Sequence, residues 1–286
     1  MKIIHKECHL HNQIAALKTI GKTIGFVPTM GALHEGHLTL LAEAARHTAF
    51  VVVSIFVNPT QFNDPADYEK YPITLETDIL KLEESGCDLL FLPDVKTIYP
   101  EGTNNLPTFT LESLETLLEG AFRPGHFQGV CQVMKRLLVL VMPDKLFMGQ
   151  KDFQQCMVVQ RLIQLEKLPV QLITCPTQRE ADGLAMSSRN IRLNKTERQQ
   201  AIAIYRVMQI IRKGLLAKQT SLEILKEAAL MELQKNGFEP IDYVAITNPY
   251  TLEPLHSDDL KAGLHCVILV AAFLGNVRLI DNVVVD

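Results

Sequence analysis

The sequence predicts an α/β protein, in which a doubly wound parallel sheet is followed by a smaller domain of helices and a short sheet. Over roughly the first two thirds of the 286 residues, short apolar runs alternate with helical patterns, as in chains whose parallel strands are joined by helices. After about residue 185 this alternation stops, and helical patterns precede three strand-like runs. We therefore assign residues 1–185 to a first domain and residues 186–286 to a second.

The predicted sheet of the first domain has five strands, each a short apolar run bounded by turn residues. Such runs are typical of parallel strands buried on both faces. They are TIGFVP, AFVVVSIFVN, CDLLFLP, DKLFMG and VQLITCP. The predicted helices, with apolar residues three and four apart, are GHLTLLAEAARH, LETDILKLEESG, GVCQVMKRLLVL and DFQQCMVVQRLIQLEKL. Ligands of such sheets bind beyond the carboxyl ends of the strands, so we expect functional residues there.

The second domain is predicted to begin with two long helices. Asn194 with Glu197, and Thr220 with Glu223, have the spacing of an N-cap and the third helical residue. The runs IDYVAIT, HCVILVAAFL and VRLIDNVVV follow, separated by turn-rich links. This pattern favours a small antiparallel sheet.

Composition and charge narrow the classes of partner. The formal net charge of -4 gives no basic field for nucleic acid or for an anionic membrane. The N-terminal segment lacks the apolar core of a secretory signal, and the apolar runs are about half of the ~20 residues that a spanning helix needs. We expect a cytoplasmic protein that binds small molecules. The six cysteines have no CxxC spacing, so we expect reduced core residues.

The first candidate site is the segment PTMGALHEGH, from Pro28 to His37, which follows a predicted strand and begins a predicted helix. A helix N-terminus offers unpaired backbone N–H groups and a partial positive charge, which suit an anion. His34 and His37 are expected to share one helical face and to meet the same phosphate oxygens. Taken alone, an HxxH pair is more often two surface or core histidines, but its position favours nucleotide binding.

Three commoner motifs are excluded by their spacing. HxxH is not the HExxH of zinc proteases, so a zinc site is not expected. Gly21-Lys22-Thr23 is not a P-loop, because Ala16 stands where the first glycine is required. The sequence has no GxGxxG after a strand, so the dinucleotide fingerprint is missing.

Two further candidate segments, NPTQF and GQKDFQQ, follow predicted strands. Gln61 carries a donor and an acceptor for a hydroxyl or carboxylate group, although the segment also fits an ordinary turn. Lys151 can neutralise phosphate charge, Asp152 can cap a helix or contact a ribose, and Gln155 can face the same crevice as Gln61. The alternative for the second segment is a plain helix cap beside a solvated lysine.

The fourth candidate is the loop with Met186, Ser187, Ser188 and Arg189, which follows the fifth predicted strand. Two hydroxyls and a guanidinium suit a polyphosphate, and a loop can close over a nucleotide. A solvated surface loop is the alternative.

Together the segments PTMGALHEGH, NPTQF, RPGHF, GQKDFQQ and READGLAMSSRN resemble the pantothenate synthetase family in order and spacing, and the resemblance extends to AAFLGNVRLIDN near the C-terminus. It implies a Rossmann-like first domain of the HIGH-motif nucleotidyltransferase superfamily and a homodimer. It also implies a ligase that uses ATP with Mg²⁺ to join pantoate to β-alanine through a pantoyl adenylate, releasing AMP and pyrophosphate.

The resemblance assigns roles to individual residues. It makes His37 the catalytic histidine, lets His34 and Lys151 stabilise phosphate charge, and places Gln61 and Gln155 on pantoate. The implied ATP contacts are Met30, Gly31, Ala32, Leu33, His34, Glu35, Gly36, His37, Gly149, Gln150, Lys151, Asp152, Gln178, Met186, Ser187, Ser188 and Arg189.

Four positions depart from the family's pattern. Gln150 replaces a common glutamate, Ile73 and Gln128 replace frequent arginines, and Val277 replaces a usual threonine. Two rival hypotheses stay open: another superfamily enzyme, which makes a dinucleotide or CDP-type product or charges tRNA, and a nucleotide-binding regulator without turnover. The charge balance disfavours tRNA.

Overall fold

A computed structural model describes residues 1–63, 65–217, 221–256 and 265–285. The chain forms two compact units. The first unit comprises Met1–Glu115, Arg123–Gln150 and Gln154–Pro176, and the second comprises Thr116–Phe122, Lys151–Phe153 and Thr177–Asp286. The division after residue 185 stays a prediction.

The first unit contains a six-stranded, entirely parallel sheet. Its strands are β1 (Lys2–Ile4), β2 (Ile24–Thr29), β3 (Phe50–Ile55), β4 (Leu89–Phe91), β5 (Lys145–Gly149) and β6 (Gln171–Cys175), in the order β1-β4-β3-β2-β5-β6. The five predicted strands are confirmed. β1 was not predicted, because a three-residue edge strand has too short an apolar run to be recognised.

The strand order reverses between β2 and β5. From β2 the sheet continues through β3 and β4 in one direction, and through β5 and β6 in the other. Neighbouring connections then leave the sheet on opposite faces, which opens a crevice at the carboxyl ends of these two strands. The segments after β2 and β5 are those that carry PTMGALHEGH and GQKDFQQ.

Helices cover both faces of this sheet. They are α1 (Glu7–Thr19), α2 (Glu35–His47), α3 (Pro65–Glu69), α4 (Leu75–Glu84), α5 (Val95–Ile98), α7 (His126–Val141) and α8 (Phe153–Leu165). Successive residues of β2 pack on opposite faces of the sheet. Phe26 belongs to the apolar cluster with α1, α7 and α8, whereas Val27 belongs to the cluster with α2 and α4. The doubly wound α/β prediction is confirmed, although α1 was not among the predicted helices.

The second unit combines helices with a three-stranded antiparallel sheet, as predicted. Its elements are α6 (Glu119–Phe122), α9 (Lys195–Gln200), α10 (Ala203–Ala217), α11 (Leu222–Lys235), β7 (Phe238–Thr247), β8 (Cys266–Leu274) and β9 (Val277–Val285). The sheet and helices enclose one apolar core.

The predicted helix starts of this unit need two corrections. Asn194 and Glu197 do form a capping box, but it begins the six-residue α9 and not a long helix. Thr220 lies outside the described residues, and the N-cap of α11 is Ser221, whose hydroxyl accepts from the backbone of Ile224. Serine is as good an N-cap as threonine, so the sequence alone did not decide between neighbours.

Within the described ranges, the helices are all too short or too polar to cross a bilayer. The cysteines are free, as predicted, but Cys8 is exposed and only the other five are buried. The expectation of six core cysteines is therefore wrong for Cys8. Burial raises the pKa of the Cys87 and Cys131 thiols to about 12 and that of Cys175 to about 11.

We expect the native protein to react with Ellman's reagent at pH 8 through one thiol, that of Cys8. The buried thiols are sterically shielded, and the reactive thiolate form is suppressed where burial raises the pKa. The number of thiols that react before and after unfolding in guanidinium chloride measures this. A Cys8→Ser variant should lose the fast reaction; a second thiol that reacts at the same rate in that variant would contradict the prediction.

Candidate active site

The loop after β2 turns sharply before α2 begins. Gly31 and Ala32 both have left-handed backbones, with φ values of 83° and 49°. This conformation suits glycine and is uncommon for alanine. It directs the backbone N–H groups of Ala32 and Leu33 to one carboxylate, that of Asp78, each at 2.8 Å.

Asp78 and Lys81 of α4 hold this loop through its backbone: Asp78 binds N–H groups and Lys81 binds a carbonyl oxygen. Asp78 is 1% exposed, and its carboxylate also accepts from the hydroxyl of Thr74 at 3.1 Å. The Lys81 ammonium donates to the carbonyl oxygen of Leu33 at 2.6 Å. Sequence reasoning missed both residues, although Asp78 stands on the buried face of α4 with Leu82, where a charged residue indicates a specific partner.

We expect the Asp78→Asn variant to lose about 2–3 kcal/mol of unfolding free energy, since the two loop N–H groups lose a charged acceptor and one then faces an amide group. Urea unfolding measures this loss. Glu76→Gln, at an exposed position of the same helix, is the matched control and should be nearly neutral. Equal stabilities for the two variants would show that Asp78 does not hold the loop.

His34 and His37 cap α2 reciprocally. His34 is the N-cap residue, and its Nδ1 accepts from the backbone N–H of Gly36 at 3.2 Å. The Nδ1 of His37 accepts from the backbone N–H of His34 at 3.3 Å. The ring centroids are 4.1 Å apart. The pair thus takes the places of Ser/Thr and Glu/Gln in a capping box.

This arrangement determines the tautomer of both rings. A neutral imidazole whose Nδ1 accepts carries its proton on Nε2. Each ring therefore has an Nε2–H donor, which is the group that a phosphate oxygen requires.

Two parts of the prediction for this motif are wrong. His34 is the N-cap and precedes the helix, so it is not the helical residue that was predicted, although its ring contacts that of His37. The backbone N–H groups of residues 32, 33, 34 and 36 are not unpaired, because they donate to Asp78 and to the two imidazoles. These four backbone N–H groups already have acceptors within the chain, so the imidazoles are the side chains of this motif that can donate to an anion.

Gln61 lies in a 3-10 turn, Pro59–Gln61, directly after β3. Its Oε1 accepts from the Nδ2 of Asn58 at 3.1 Å, and its Nε2 lies 3.1 Å from the sulfur of Met30. The second predicted segment is therefore brought against the first. Asn58 is 1% exposed and orients the Gln61 amide, a role that sequence reasoning did not assign.

Two residues of α7 support the Gln61 turn. His126, in the RPGHF segment, lies with its Nδ1 2.8 Å from the carbonyl oxygen of Gln61. The Nδ2 of Asn58 donates to the carbonyl oxygen of Gly129 at 3.1 Å, and a side chain at Gly129 would collide with the backbone of Thr60. The close approach requires glycine.

The GQKDFQQ segment begins where β5 ends. Gly149 is the last strand residue, residues 150–152 form a 3-10 turn, and Gln155 lies partly exposed in the first turn of α8. No hydrogen bond joins Gln155 to Gln61 in the part of the chain that the structure describes. That both glutamines face the same crevice stays a prediction.

In the second unit, Lys151 and Asp152 are adjacent charges. The Lys151 ammonium lies 3.9 Å from the Asp152 carboxylate, and the Lys151 side chain is 20% exposed. The lysine is thus partly shielded from water, which strengthens its interaction with an anion.

Residues 178–186 of the second unit form a hairpin-like turn. The N–H of Met186 donates to the carbonyl oxygen of Gln178 at 3.0 Å, so these two predicted residues are brought together. Ser187 then caps a 3-10 helix, Ser188–Arg192, by accepting from the N–H of Arg189. These bonds order the segment locally, and its binding of a polyphosphate stays a prediction.

The departures from the family pattern have different surroundings. Gln128 makes hydrogen bonds to both backbone groups of Phe109 and to the carboxylate of Glu115, so its amide is committed to this segment. Ile73 is 82% exposed and Val277 is buried.

Comparison with known proteins shows the family of the chain. The model of the pantoate–β-alanine ligase family matches residues 2–284. The chain is 45% identical over 273 residues to the pantothenate synthetase of Pseudomonas fluorescens (strain Pf0-1), covering 96% of this chain and 94% of that protein. It is 44% identical over 272 residues to that of Thermodesulfovibrio yellowstonii, with 94% of each chain covered.

Solved structures give the same result. The pantothenate synthetase of Thermus thermophilus superposes with a TM-score of 0.90 at 41% identity, covering 99% of both chains. The pantoate–β-alanine ligase of Francisella tularensis, solved in complex with β,γ-ATP and β-alanine, superposes with a TM-score of 0.82 at 36% identity, covering 99% of this chain and 97% of that one. With a family match over nearly its whole length, the chain belongs to the pantoate–β-alanine ligase family.

Proposed function

We propose that the protein condenses pantoate with β-alanine to give pantothenate, and that it does so through a pantoyl adenylate with release of AMP and pyrophosphate. Membership of the ligase family supports the overall reaction. The observation that carries the adenylation step is the reciprocal cap of His34 and His37, because it fixes the proton of each neutral imidazole on Nε2 in the loop after β2, a strand at the reversal of the sheet order where such sheets bind ligands.

In the proposed mechanism, a carboxylate oxygen of pantoate attacks the α-phosphorus of ATP. The bond from this phosphorus to the bridging oxygen breaks, and pyrophosphate leaves. The amine of β-alanine then attacks the activated carbonyl carbon, an amide bond forms, AMP leaves and the amine loses a proton to solvent. The protein's part in both steps is to position the reactants and to stabilise phosphate charge.

We assign the stabilisation of the phosphate charge to His34, His37 and Lys151, and this makes them the catalytic residues of the proposal. The cap supports this assignment for the histidines, since it fixes the donor atom of each ring. The remaining proposed ATP contacts are Met30, Gly31, Ala32, Leu33, Glu35, Gly36, Gly149, Gln150, Asp152, Gln178, Met186, Ser187, Ser188 and Arg189.

We assign pantoate to Gln61 and Gln155. The support for Gln61 is that Asn58 holds its amide in one orientation beside Met30, since binding sites rely on a few polar groups in fixed positions. Gln155 is proposed on the resemblance, with its partly exposed position in α8 as support.

We propose that Mg²⁺ enters with ATP. Among the described residues, the structure has no group of three or more His, Cys, Asp or Glu side chains suited to a metal ion. Mg²⁺ commonly binds substrate phosphates and retains several waters, and when bound it would neutralise phosphate charge. We further propose a cytoplasmic homodimer that has no nucleic-acid or membrane partner.

The test is AMP release from ATP and Mg²⁺, with pantoate and β-alanine supplied together, singly or not at all. We expect AMP and pantothenate only when both are present. AMP formation that needs neither would favour another nucleotidyltransferase, whereas tight ATP binding with no AMP under any condition would favour a regulator without turnover.

A further inference from the structure

The backbone of Lys151 is held by a residue far away in the sequence. Asn282, on β9, donates from its Nδ2 to the carbonyl oxygen of Lys151 at 2.9 Å across a separation of 131 residues. Asn282 is 3% exposed. Because this side-chain amide is buried and hydrogen-bonded to the Lys151 backbone, it restricts the position of the backbone from which the lysine side chain extends.

Asn282 is itself held by a buried ion pair. The backbone N–H of Asn282 donates to the carboxylate of Asp281 at 2.8 Å, and its backbone carbonyl oxygen accepts from Arg179 at 3.2 Å. The guanidinium of Arg179 binds both oxygens of Asp281, at 2.6 and 3.0 Å, and lies 4.4 Å from the centre of the Tyr205 ring. Bidentate pairing and stacking leave the arginine little freedom.

The same guanidinium also holds the second predicted phosphate-binding segment of this unit. Arg179 donates to the carbonyl oxygen of Gly183 at 3.0 Å and pairs with Ala185 through the backbone. These contacts close the turn in which Met186 bonds to Gln178. One ion pair thus connects the backbones of Lys151 and of the segment that leads into Met186–Arg189.

Stability alone does not explain this pair. Asp281 is 2% exposed, and burial raises the pKa of its carboxyl group although Arg179 lies against it. Buried ion pairs in general add little net stability, because their attraction has to offset the hydration that both groups lose. Such a pair can instead fix one geometry among several.

We propose that Asn282, held by the Arg179–Asp281 pair, is a positioning residue that aligns Lys151 for adenylate formation. It does not touch the reacting atoms, and it acts through the Lys151 backbone. This inference rests on the proposed role of Lys151 in the ligase reaction.

The test is a double-mutant cycle between Asn282 and Lys151. Asn282→Asp keeps the shape and removes the donor, and Asn282→Leu removes the donor without adding charge; the second serves if the first does not fold. Each is made in the wild-type and Lys151→Ala backgrounds. Pantoate-dependent exchange of pyrophosphate into ATP measures adenylate formation without β-alanine, and thermal unfolding checks the fold. Asn276→Asp, at an exposed turn of the same sheet, is the matched control.

We expect each Asn282 variant to lower kcat for exchange about 10-fold to 100-fold, as misplacement of a catalytic group does, with little change in the KM for pantoate. In the Lys151→Ala background, the same change should lower kcat by less than about twofold, because coupled residues are not additive. The control should keep the wild-type kcat.

Two results would overturn the positioning role while leaving the role of Lys151 intact. They are equal losses from the Asn282 variants in both backgrounds, and wild-type kcat for folded Asn282 variants. A Lys151→Ala variant with normal exchange would instead reject the proposed role of the lysine, and the positioning inference with it.

Discussion

The His37→Ala variant is expected to form pantoyl adenylate on the order of 100-fold more slowly than the wild-type protein, by analogy with the loss of one oxyanion donor. The Nδ1 of His37 accepts from the backbone N–H of His34, so the proton of the neutral ring is on Nε2. If His37 stabilises the α-phosphate as proposed, removing the ring removes this donor from the reaction. Pantoate-dependent pyrophosphate exchange measures the change.

The same variant also loses half of the helix cap, which costs about 1 kcal/mol of stability. His37→Glu separates the two effects, since glutamate at this position can accept from the N-cap N–H but has no donor for phosphate. We expect it to be folded and at least as slow. His47→Ala, at the exposed end of the same helix, is the control. A His37→Ala variant within a few-fold of the control rate would remove His37 from the mechanism.

The Lys151→Ala variant is the second change with a large expected effect, again on the order of 100-fold in adenylate formation. Its side chain is only 20% exposed, and the Asp152 carboxylate lies 3.9 Å from its ammonium, beyond the length of a hydrogen bond. A partly shielded cation interacts more strongly with a phosphate than a hydrated one does. The lost charge should lower kcat for exchange and for the complete reaction.

Lys151→Arg distinguishes charge from geometry. Arginine keeps the charge but replaces a compact ammonium by a planar fork, so we expect only partial recovery of the rate. Lys213→Ala, at an exposed position on α10, controls for the general loss of a cation. If Lys151→Ala were as active as Lys213→Ala and both matched the wild-type protein, that result would falsify the assignment.

The sequence predicted the elements whose signal is local. Continuous apolar runs such as AFVVVSIFVN identify buried parallel strands, and the motifs after β2, β3 and β5 were correctly placed at strand ends. The contact between Gln61 and Met30 follows from this, because the carboxyl ends of neighbouring parallel strands are adjacent.

The sequence did not predict the residues that hold these motifs in place. Asp78 binds a loop 45 residues earlier, and Arg179 binds Asp281 across 102 residues. Neither pair has a local period or a recognisable spacing, since tertiary packing alone brings the partners together. The reciprocal cap of His34 and His37 was missed for another reason: histidine is not among the usual residues of a capping box.

The carboxylate of Asp78 has a consequence for how the loop proposed to bind ATP would meet its ligand. The left-handed turn at Gly31 and Ala32 forms a small concave cluster of N–H groups, which in other proteins recruits an anion from solution. Here a side chain of the chain itself supplies the negative charge. The loop can therefore keep one shape before any nucleotide arrives. The entropy of ordering it is then lost during folding and not during binding, which favours a tighter encounter with the ligand.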